Sequence, residues 1–298
     1  MLKGIITKGV GGFYEVLCDD NTTYTCKVRG VYRKDGGITP LPGDIVTFKV
    51  LDEKDREGHI EEIKERRNYF NRPPVANIDQ LAIVIAVESP DPDFMLVDKL
   101  IITCMSKNIR PLLVINKTDL DKSNGAEEIA SSYRSTGFPI IYLNKFEKDK
   151  YEDLHRELTG HITAFAGQSG VGKSTILNIV MDNWLMDTGE VSDKIKRGRH
   201  TTRHVQLFKL DEGGFIVDTP GFSSFSINDI EHDELENMYP EFEPAIGYCR
   251  FKGCSHTCEP DCAVRELVSE GKLDERRYNR YVELYRQLKE NFDNRYKR

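Results

Sequence analysis

The sequence contains no long hydrophobic run, which argues against a membrane-spanning protein. Its longest apolar stretch, residues 81–87, is far too short to cross a bilayer. The first 13 residues carry Lys3 and Lys8 but no apolar segment of the kind found in a signal peptide. Proline is scarce, at 12 residues beside 23 glycines, and 39% of the chain is hydrophobic, which is typical of a folded globular protein. We therefore expect a cytoplasmic protein with no membrane contact.

The sequence also lacks an excess of positive charge. Its 42 lysines and arginines face 49 acidic residues, which gives a net charge of -7. A general attraction to polyanions is thereby excluded, so any contact with nucleic acid has to come from local basic patches. The candidate patches are Lys27 with Arg29, Arg33 and Lys34, residues 194–203, Arg250 with Lys252, and the end of the chain.

Seven cysteines without an export signal argue against a disulfide framework. Four of them crowd into 14 residues, at positions 249, 254, 258 and 262, and His256 lies among them. Thiolates and an imidazole at such spacing are typical of a structural zinc site, in which protein ligands fill all four positions. By spacing alone, Cys258 competes with the other three as a ligand. We expect the remaining cysteines, Cys18, Cys26 and Cys104, to be small buried hydrophobic residues.

The first 63 residues alternate short β-patterned segments with glycines, which predicts a small barrel. The five predicted strands are residues 4–8, 13–18, 23–28, 44–50 and 59–63. Five strands in about sixty residues favour an OB-type barrel. An SH3-like barrel is the alternative, because the strand count alone does not separate the two.

After a basic bridge at residues 64–72, apolar strands alternate with helices, the pattern of a parallel α/β domain. Strands are predicted at residues 81–87, 112–115, 140–143, 163–166 and 215–217, with helices at 94–107 and 175–181. From about residue 228 the sequence is predicted to be helical and bears the cysteine cluster. We therefore predict three domains, over residues 1–68, 69–230 and 231–298.

A phosphate-binding loop follows the strand predicted at residues 163–166. The loop fits the pattern GxxxxGK[ST] between a strand and a helix. Its N–H groups and the helix N-terminus favour phosphate, while its lysine reaches the β and γ oxygens and its serine is a ligand for Mg²⁺. The predicted nucleotide-binding residues here are Gly167, Gln168, Ser169, Gly170, Val171, Gly172, Lys173, Ser174 and Thr175.

A second motif selects the base. Asn116, Lys117, Thr118 and Asp119 directly follow the strand predicted at residues 112–115. A carboxylate accepts two hydrogen bonds from guanine, one from N1–H and one from the exocyclic amine, and adenine offers neither. The pattern NKxD in a chain with a phosphate-binding loop therefore predicts a site for GTP.

A third motif, DxxG, spans residues 218–221 after the strand predicted at 215–217. In this pattern Asp218 contacts Mg²⁺ through water and the N–H of Gly221 meets the γ-phosphate. The basic stretch before it carries Thr202, a threonine of the kind that a switch loop uses to bind Mg²⁺. Together these motifs predict GTP hydrolysis. Because NKxD precedes the phosphate-binding loop, whereas an ordinary GTPase has it last, the domain is circularly permuted.

The succession of a barrel, NKTDL, GQSGVGKST, RGRHTT, DTPGFSS and CxxxxCxHxxxxxC resembles the RsgA family over essentially the whole chain. The resemblance implies GTP hydrolysis stimulated by the 30S ribosomal subunit, binding to 16S ribosomal RNA, and a role in late 30S maturation. It implies an RNA-binding barrel over residues 1–68, the GTPase domain over 69–230 and a helical zinc-binding module over 231–298. It also implies one structural Zn²⁺ per chain at Cys249, Cys254, His256 and Cys262, and Mg²⁺ with GTP at Ser174 and Thr202.

The motifs do not identify the group that activates the attacking water. A Ras-type enzyme places glutamine directly after DxxG, whereas this chain has Phe222 there, which predicts slow intrinsic hydrolysis. The resemblance assigns this role to His200 of the switch stretch, the basic residues 197–204, since an imidazole orients water near neutral pH. An RNA-contacting histidine, or an arginine finger at Arg199 or Arg203, is the alternative. The predicted catalytic set is His200, Thr202, Asp218, Gly221 and Lys173.

Two other functions stay open beside a 30S-stimulated GTPase. One is a GTP-gated RNA-binding module with negligible turnover, which Phe222 motivates, and the other is a permuted GTPase that acts on the large subunit. The loop that backs the guanine in related GTPases carries a Ser-Ala-like pair, whereas this chain has Asn144, Lys145 and Phe146, whose contact the sequence does not assign. We expect a monomer.

Overall fold

The computed structural model describes residues 1–28, 38–185, 205–218, 227 and 230–295. By the contacts between its residues the chain divides into two compact units. The first comprises Met1–Leu81, Glu152–Phe165 and Ser174–Phe222, and the second comprises Ala82–Tyr151, Ala166–Lys173 and Ser223–Arg298. Each unit therefore contains part of the α/β region.

The chain forms 13 strands and six α-helices among the described residues. The strands are β1 (Leu2–Val10), β2 (Phe13–Cys18), β3 (Thr23–Val28), β4 (Ile45–Asp52), β5 (Glu57–Ile63), β6 (Tyr69–Asn71), β7 (Pro74–Ala76), β8 (Gln80–Ala86), β9 (Arg110–Asn116), β10 (Ile140–Tyr142), β11 (Ile162–Ala166), β12 (Gln206–Lys209) and β13 (Phe215–Asp218). The helices are α1 (Phe94–Ser106), α2 (Gly125–Tyr133), α3 (Lys148–Leu158), α4 (Lys173–Trp184), α5 (Ala263–Ser269) and α6 (Glu275–Arg295).

The first unit begins with a closed five-stranded barrel. Its strands lie in the order β1-β2-β3-β5-β4, and β1 also pairs with β4 to complete the circle. Strands β3 and β5 run parallel, whereas β1 is antiparallel to both of its barrel neighbours. The strand order, with its parallel pair of β3 and β5, confirms the OB-type barrel over the SH3-like alternative.

The barrel core follows from the alternation of side chains along each strand. Ile6, Val16, Phe48 and Ile60 are fully buried, one from each of four strands. Cys26 lies among them, and burial raises the pKa of its thiol to about 12. The thiol therefore stays neutral and packs as a small hydrophobic group, as predicted.

A short strand joins the barrel to the α/β strands of the first unit. Strand β12 pairs antiparallel with β1, with Lys8 opposite Gln206, and antiparallel with β13 on its other side. Strand β13 in turn pairs parallel with β11, the strand that precedes the phosphate-binding loop. Neither β12 nor its pairing with the barrel is predicted from the sequence.

The second unit holds three parallel-sheet strands and the C-terminal part of the chain. Its strands lie in the order β10-β9-β8, and every residue of β8 is buried. Helix α1 begins at Phe94, where the side chain of Asp93 accepts a hydrogen bond from the N–H of Leu96 at 2.9 Å. Both elements lie within two residues of their predicted bounds. No helix among the described residues is long and apolar enough to span a bilayer.

The C-terminal part differs from the expected run of helices. Residues 230–262 form turns with two short 3₁₀ segments, Leu235–Met238 and Pro240–Phe242, and regular α-helix begins only at Ala263. The tyrosines of α6 point into this region. The hydroxyl of Tyr278 donates to the carbonyl of His256 at 2.8 Å, and that of Tyr281 donates to the carbonyl of Ser255 at 2.9 Å. The tyrosine stripe thus packs on the cysteine-bearing turns.

A buried group of charges ties α1 to α6. The carboxylate of Asp98, which is fully buried, accepts hydrogen bonds from Arg277 at 2.7 Å, from Arg280, and from the hydroxyl of Tyr133 at 2.8 Å. Arg277 also donates to Glu241. Because each charge has a partner, the group fixes α6 against α1 and the end of α2.

Candidate functional site

The phosphate-binding loop folds tightly between β11 and α4, and two of its glycines are required by the space around them. Gly167 has φ +137°, and a side chain there would collide with the carbonyl of Val84. Gly172 has φ +101°, and a side chain there would collide with the amide of Asn116. The loop path therefore depends on glycine at both positions.

Lys173 lies over the loop that precedes it. Its ammonium donates to the carbonyls of Gly167 at 2.7 Å and Gln168 at 2.8 Å. Burial lowers the pKa of this lysine. A phosphate group within reach of the ammonium favours its charged form, so the position suits a triphosphate ligand. Ser174 and Thr175 are exposed on the first turn of α4.

The NKTD motif holds the phosphate-binding loop in place. The side-chain amide of Asn116, 6% exposed, donates to the carbonyl of Val171 at 2.8 Å. The ammonium of Lys117 donates to the carbonyl of Gly170 at 2.8 Å and also to that of Ser89. These contacts bring two motifs together that lie about 50 residues apart in the sequence.

The rest of the motif faces a different loop. The N–H and hydroxyl of Thr118 donate to the carbonyl of Leu143 at 3.2 and 3.3 Å. The side chain of Asp119 is exposed. Three residues of the motif thus make structural contacts, and the carboxylate that the sequence assigns to guanine recognition faces solvent.

The other predicted catalytic residues are only partly covered by the structure. Asp218 ends β13 in the first unit, where it lies opposite Gln206 of β12 and is half-buried. His200, Thr202 and Gly221 lie outside the described residues, as do Phe222 and the basic residues 194–203. Their catalytic roles stay predictions.

Four predicted metal ligands converge in the second unit. The Sγ atoms of Cys249, Cys254 and Cys262 and the ring nitrogen of His256 all lie within 4.8 Å of one another. The Nδ1 atom of His256 lies 3.5 Å from Cys249 Sγ and 3.4 Å from Cys262 Sγ. Such distances fit tetrahedral ligation of one ion by three sulfurs and one nitrogen. The side chain of Cys258 is exposed and is not a member of this cluster.

The chemistry of the cluster also suits a cation. Burial raises the pKa of the Cys254 thiol to about 12 and raises that of Cys262. Without a positive charge among them, these thiols therefore stay protonated at neutral pH. A bound zinc ion would supply that charge and would lower the pKa of its sulfur ligands.

A carboxylate that sequence analysis did not single out orients the histidine ligand. The Nε2 atom of His256 lies 2.6 Å from Oε2 of Glu236, so Nδ1 faces the sulfurs. Histidines that bind metals through one nitrogen commonly donate their other N–H to a carboxylate. Because 20 residues separate Glu236 from His256, no local sequence pattern marks this pair.

Family models and curated relatives match nearly the whole of this chain. Residues 63–228 match the model of the RsgA GTPase family, and residues 3–60 match that of the RsgA N-terminal domain. A protein described as small ribosomal subunit biogenesis GTPase RsgA from Ruminiclostridium cellulolyticum is 50% identical over 97% of this chain and 95% of its own length. A protein of the same description from Caldanaerobacter subterraneus is 43% identical over 99% of both chains.

Two solved structures share the fold along nearly the whole chain. One is YloQ, described as a circularly permuted GTPase, with a TM-score of 0.82 and 35% identity over 97% of this chain and 96% of its own. The other is YjeQ from Thermotoga maritima, with a TM-score of 0.82 and 32% identity over 96% of this chain and 98% of its own. The chain is a circularly permuted GTPase and belongs to the RsgA family.

Proposed function

We propose that this protein hydrolyses GTP to GDP and phosphate in response to the 30S ribosomal subunit, late in the maturation of that subunit. The observation that carries the proposal is the joint geometry of the two nucleotide motifs. Asn116 and Lys117 bind the phosphate-binding loop directly, and Asp119 is left exposed to meet a base. The name of the relatives, small ribosomal subunit biogenesis GTPase, supports the choice of subunit.

Phosphate recognition falls to the loop and to Lys173. The N–H groups of residues 167–175 contact phosphate oxygens. When the nucleotide binds, the ammonium of Lys173 gives up its hydrogen bonds to the carbonyls of Gly167 and Gln168 and donates to the β and γ oxygens instead. Ser174 and Thr202 would hold Mg²⁺, with Asp218 contacting it through water. When bound, Mg²⁺ neutralises the charge that develops on the phosphates.

The exposed position of Asp119 supports its role in base selection. Its two oxygens accept hydrogen bonds from guanine N1–H and from the exocyclic amine. With ATP these hydrogen bonds are lost, because adenine offers neither donor. The protein is therefore expected to turn over GTP and not ATP.

Water activation is assigned to His200, with Thr202 and Gly221 around the γ-phosphate. The residue after the DxxG motif is Phe222, which has no group to orient water. Hydrolysis by the protein alone should therefore be slow, and it should become faster when the subunit is bound. Replacing His200 by Ala should remove the stimulated turnover and leave nucleotide binding intact.

The RNA contacts are assigned to the basic patches of the barrel, the switch stretch and the metal-binding turns, which would bind 16S ribosomal RNA. Arg250 is exposed beside the ligand Cys249, and its guanidinium lies 5.6 Å from the ring centre of Phe251. Zn²⁺ in the Cys249, Cys254, His256 and Cys262 cluster has a structural role, because protein groups fill all four positions. We propose that the protein acts in the cytoplasm as a monomer.

The test is phosphate release from GTP and from ATP by the pure protein, alone and with purified 30S or 50S subunits. The proposal expects slow turnover of GTP alone, a many-fold rise with 30S only, and no turnover of ATP. Binding of GTP with no rise in the presence of 30S would favour a GTP-gated RNA-binding module. A rise with 50S only would place the protein on the large subunit.

A further inference from the structure

The loop after β10 departs from the Ser-Ala-like pair of related GTPases, and the structure places it beside the guanine motif. At one end of the loop, the carbonyl of Leu143 accepts two hydrogen bonds from Thr118. At the other end lies Tyr151, which is 4% exposed. Burial raises the pKa of Tyr151, and the nearby charge of Asp119 adds to this effect. Residues 144–150 therefore run past the NKTD motif between two points that are anchored to it.

The position of Phe146 within this loop is fixed by Asn144. The side chain of Asn144 is 7% exposed, and its Oδ1 accepts hydrogen bonds from the N–H of Phe146 at 2.8 Å and of Glu147 at 3.0 Å. An asparagine used in this way holds a tight turn. The backbone of Phe146 is thus held in place while its side chain points outward.

The ring of Phe146 is exposed to an unusual degree. Its exposed fraction is 72%, whereas the other phenylalanines described as exposed, Phe13 and Phe251, reach 49% and 45%. The ammonium of Lys145 lies 4.8 Å from the ring centre and covers one face. The other face of a ring has room for a flat partner, and a nucleobase is such a partner.

We propose that Phe146 stacks on the guanine base and adds to the affinity for the nucleotide without changing its selectivity, which Asp119 sets. This proposal rests on the assignment of GTP as the ligand. Lys117 contributes to the same pocket, because its ammonium is held by the carbonyls of Gly170 and Ser89 and its hydrocarbon stem is stretched towards the phosphate-binding loop. The base therefore meets an aliphatic stem from the motif and an aromatic ring from the loop.

The first experiment measures the binding of GDP by calorimetry to the full-length protein and to Phe146→Ala. Loss of one stacking contact should weaken binding by about tenfold, and Phe146→Tyr should restore it. Phe13→Ala is the matched control, because Phe13 also carries a lysine 4.8 Å from its ring centre but belongs to the barrel. Equal affinity of wild type and Phe146→Ala for GDP would overturn the proposal.

The affinities for two further ligands distinguish stacking on the base from indirect effects of the substitution on the loop or on Asp119. Inorganic tripolyphosphate has no base, so its affinity should be the same for Phe146→Ala and wild type. IDP lacks the exocyclic amine, so Phe146→Ala should weaken GDP and IDP by the same factor and leave their ratio unchanged. A parallel loss for tripolyphosphate, or a changed ratio, would show that Phe146 acts on the loop or on Asp119 instead. If the wild type itself binds no guanine nucleotide, the result contradicts the proposed function as a whole and not only the stacking of Phe146 on guanine.

Discussion

The nucleotide site and the metal cluster are built in opposite ways. At the nucleotide site, buried polar groups such as Asn116 hold a backbone loop, and Asp119, the group assigned to the base, is exposed. At the metal cluster, the ligand atoms face one another within 4.8 Å, and Cys254, His256 and Cys262 are buried. The nucleotide site is therefore open to solvent, whereas the ligand atoms of the metal cluster are enclosed by the protein.

This difference matches the lifetimes of the two ligands. A nucleotide that is hydrolysed and replaced in each cycle needs a site whose recognition groups are accessible from solvent. A structural ion is bound once and contributes to folding, so its ligands are best enclosed. The comparison predicts that damage to the cluster costs stability, whereas damage to the nucleotide motif costs affinity.

The largest effect is expected from removing a metal ligand. Replacing Cys262 by Ala should abolish stoichiometric zinc, and loss of a binding free energy of about 10 kcal/mol should unfold the C-terminal turns. Metal analysis together with thermal unfolding measures both. Cys258→Ala is the matched control, since this thiol is exposed and outside the cluster. Zinc loss in Cys258→Ala with retention in Cys262→Ala would reverse the assignment.

The second-largest effect is expected from the buried group of charges around Asp98. Replacing Asp98 by Asn leaves Arg277 and Arg280 without their shared carboxylate and should cost about 3 kcal/mol of unfolding free energy. Denaturant unfolding measures this loss, and the exposed Asp91→Asn serves as control. Zinc and GDP should still bind in one-to-one ratio below the transition, because Asp98 contacts neither site. Equal stability of the two variants would contradict the prediction.

A loss of selectivity with little loss of stability is expected at the nucleotide motif. Replacing Asp119 by Ala removes two hydrogen bonds to guanine and should weaken GTP binding by about 100-fold. Asp121 is the contrasting control, because its carboxylate accepts hydrogen bonds from Gly125 and Ala126 at the start of α2. Asp121→Asn should lower stability and leave the preference for GTP over ATP unchanged. Competition binding with the two nucleotides distinguishes these outcomes.

The smallest effect is expected from Glu236, which contacts a ligand of the metal cluster but is not a ligand itself. Replacing Glu236 by Gln weakens the acceptor that orients His256 and should lower zinc affinity by about 10- to 100-fold. Zinc transfer to a chromophoric chelator gives the affinity without any assay of GTP turnover. Glu234→Gln, an exposed residue of the same segment, should match the wild type. Equal zinc affinity of both variants would confine the site to its four ligands.

Much of the fold can be predicted because strand periodicity and motif spacing are local signals. The second and third barrel strands have their predicted bounds. The NKTD motif begins at the last residue of β9, and the phosphate-binding loop directly follows β11, and both strands are predicted from the sequence. Strand β12 gives no such signal, since four residues of mixed polarity are too short to show a period. The position of β12 is set by its pairing with two other strands. Strand β1 lies about 200 residues earlier in the sequence, and β13 follows β12 after a turn.

Side-chain contacts over long distances account for the rest. The pair of Glu236 and His256 and the group around Asp98 depend on tertiary packing, so no spacing rule points to them. The sequence predicts helices from about residue 228, whereas residues 230–262 form mainly turns. Closely spaced metal ligands and residues with positive φ, such as Gly247, His256 and Asp261, interrupt regular helix there. Composition alone does not separate these turns from helix.

The pairing of β1 with β12 affects the order in which contacts form while the chain is being synthesised. Lys8 emerges early from the ribosome, and its partner Gln206 follows about 200 residues later. The barrel completes its own circle through β4 long before that. Until β12 arrives, the part of β1 around Lys8, which lies beyond the residues that pair with β4, has one edge without a partner strand, and the charge of Lys8 disfavours pairing of that edge with another chain. The joint between the barrel and the GTPase strands therefore forms only after about 200 further residues have been made.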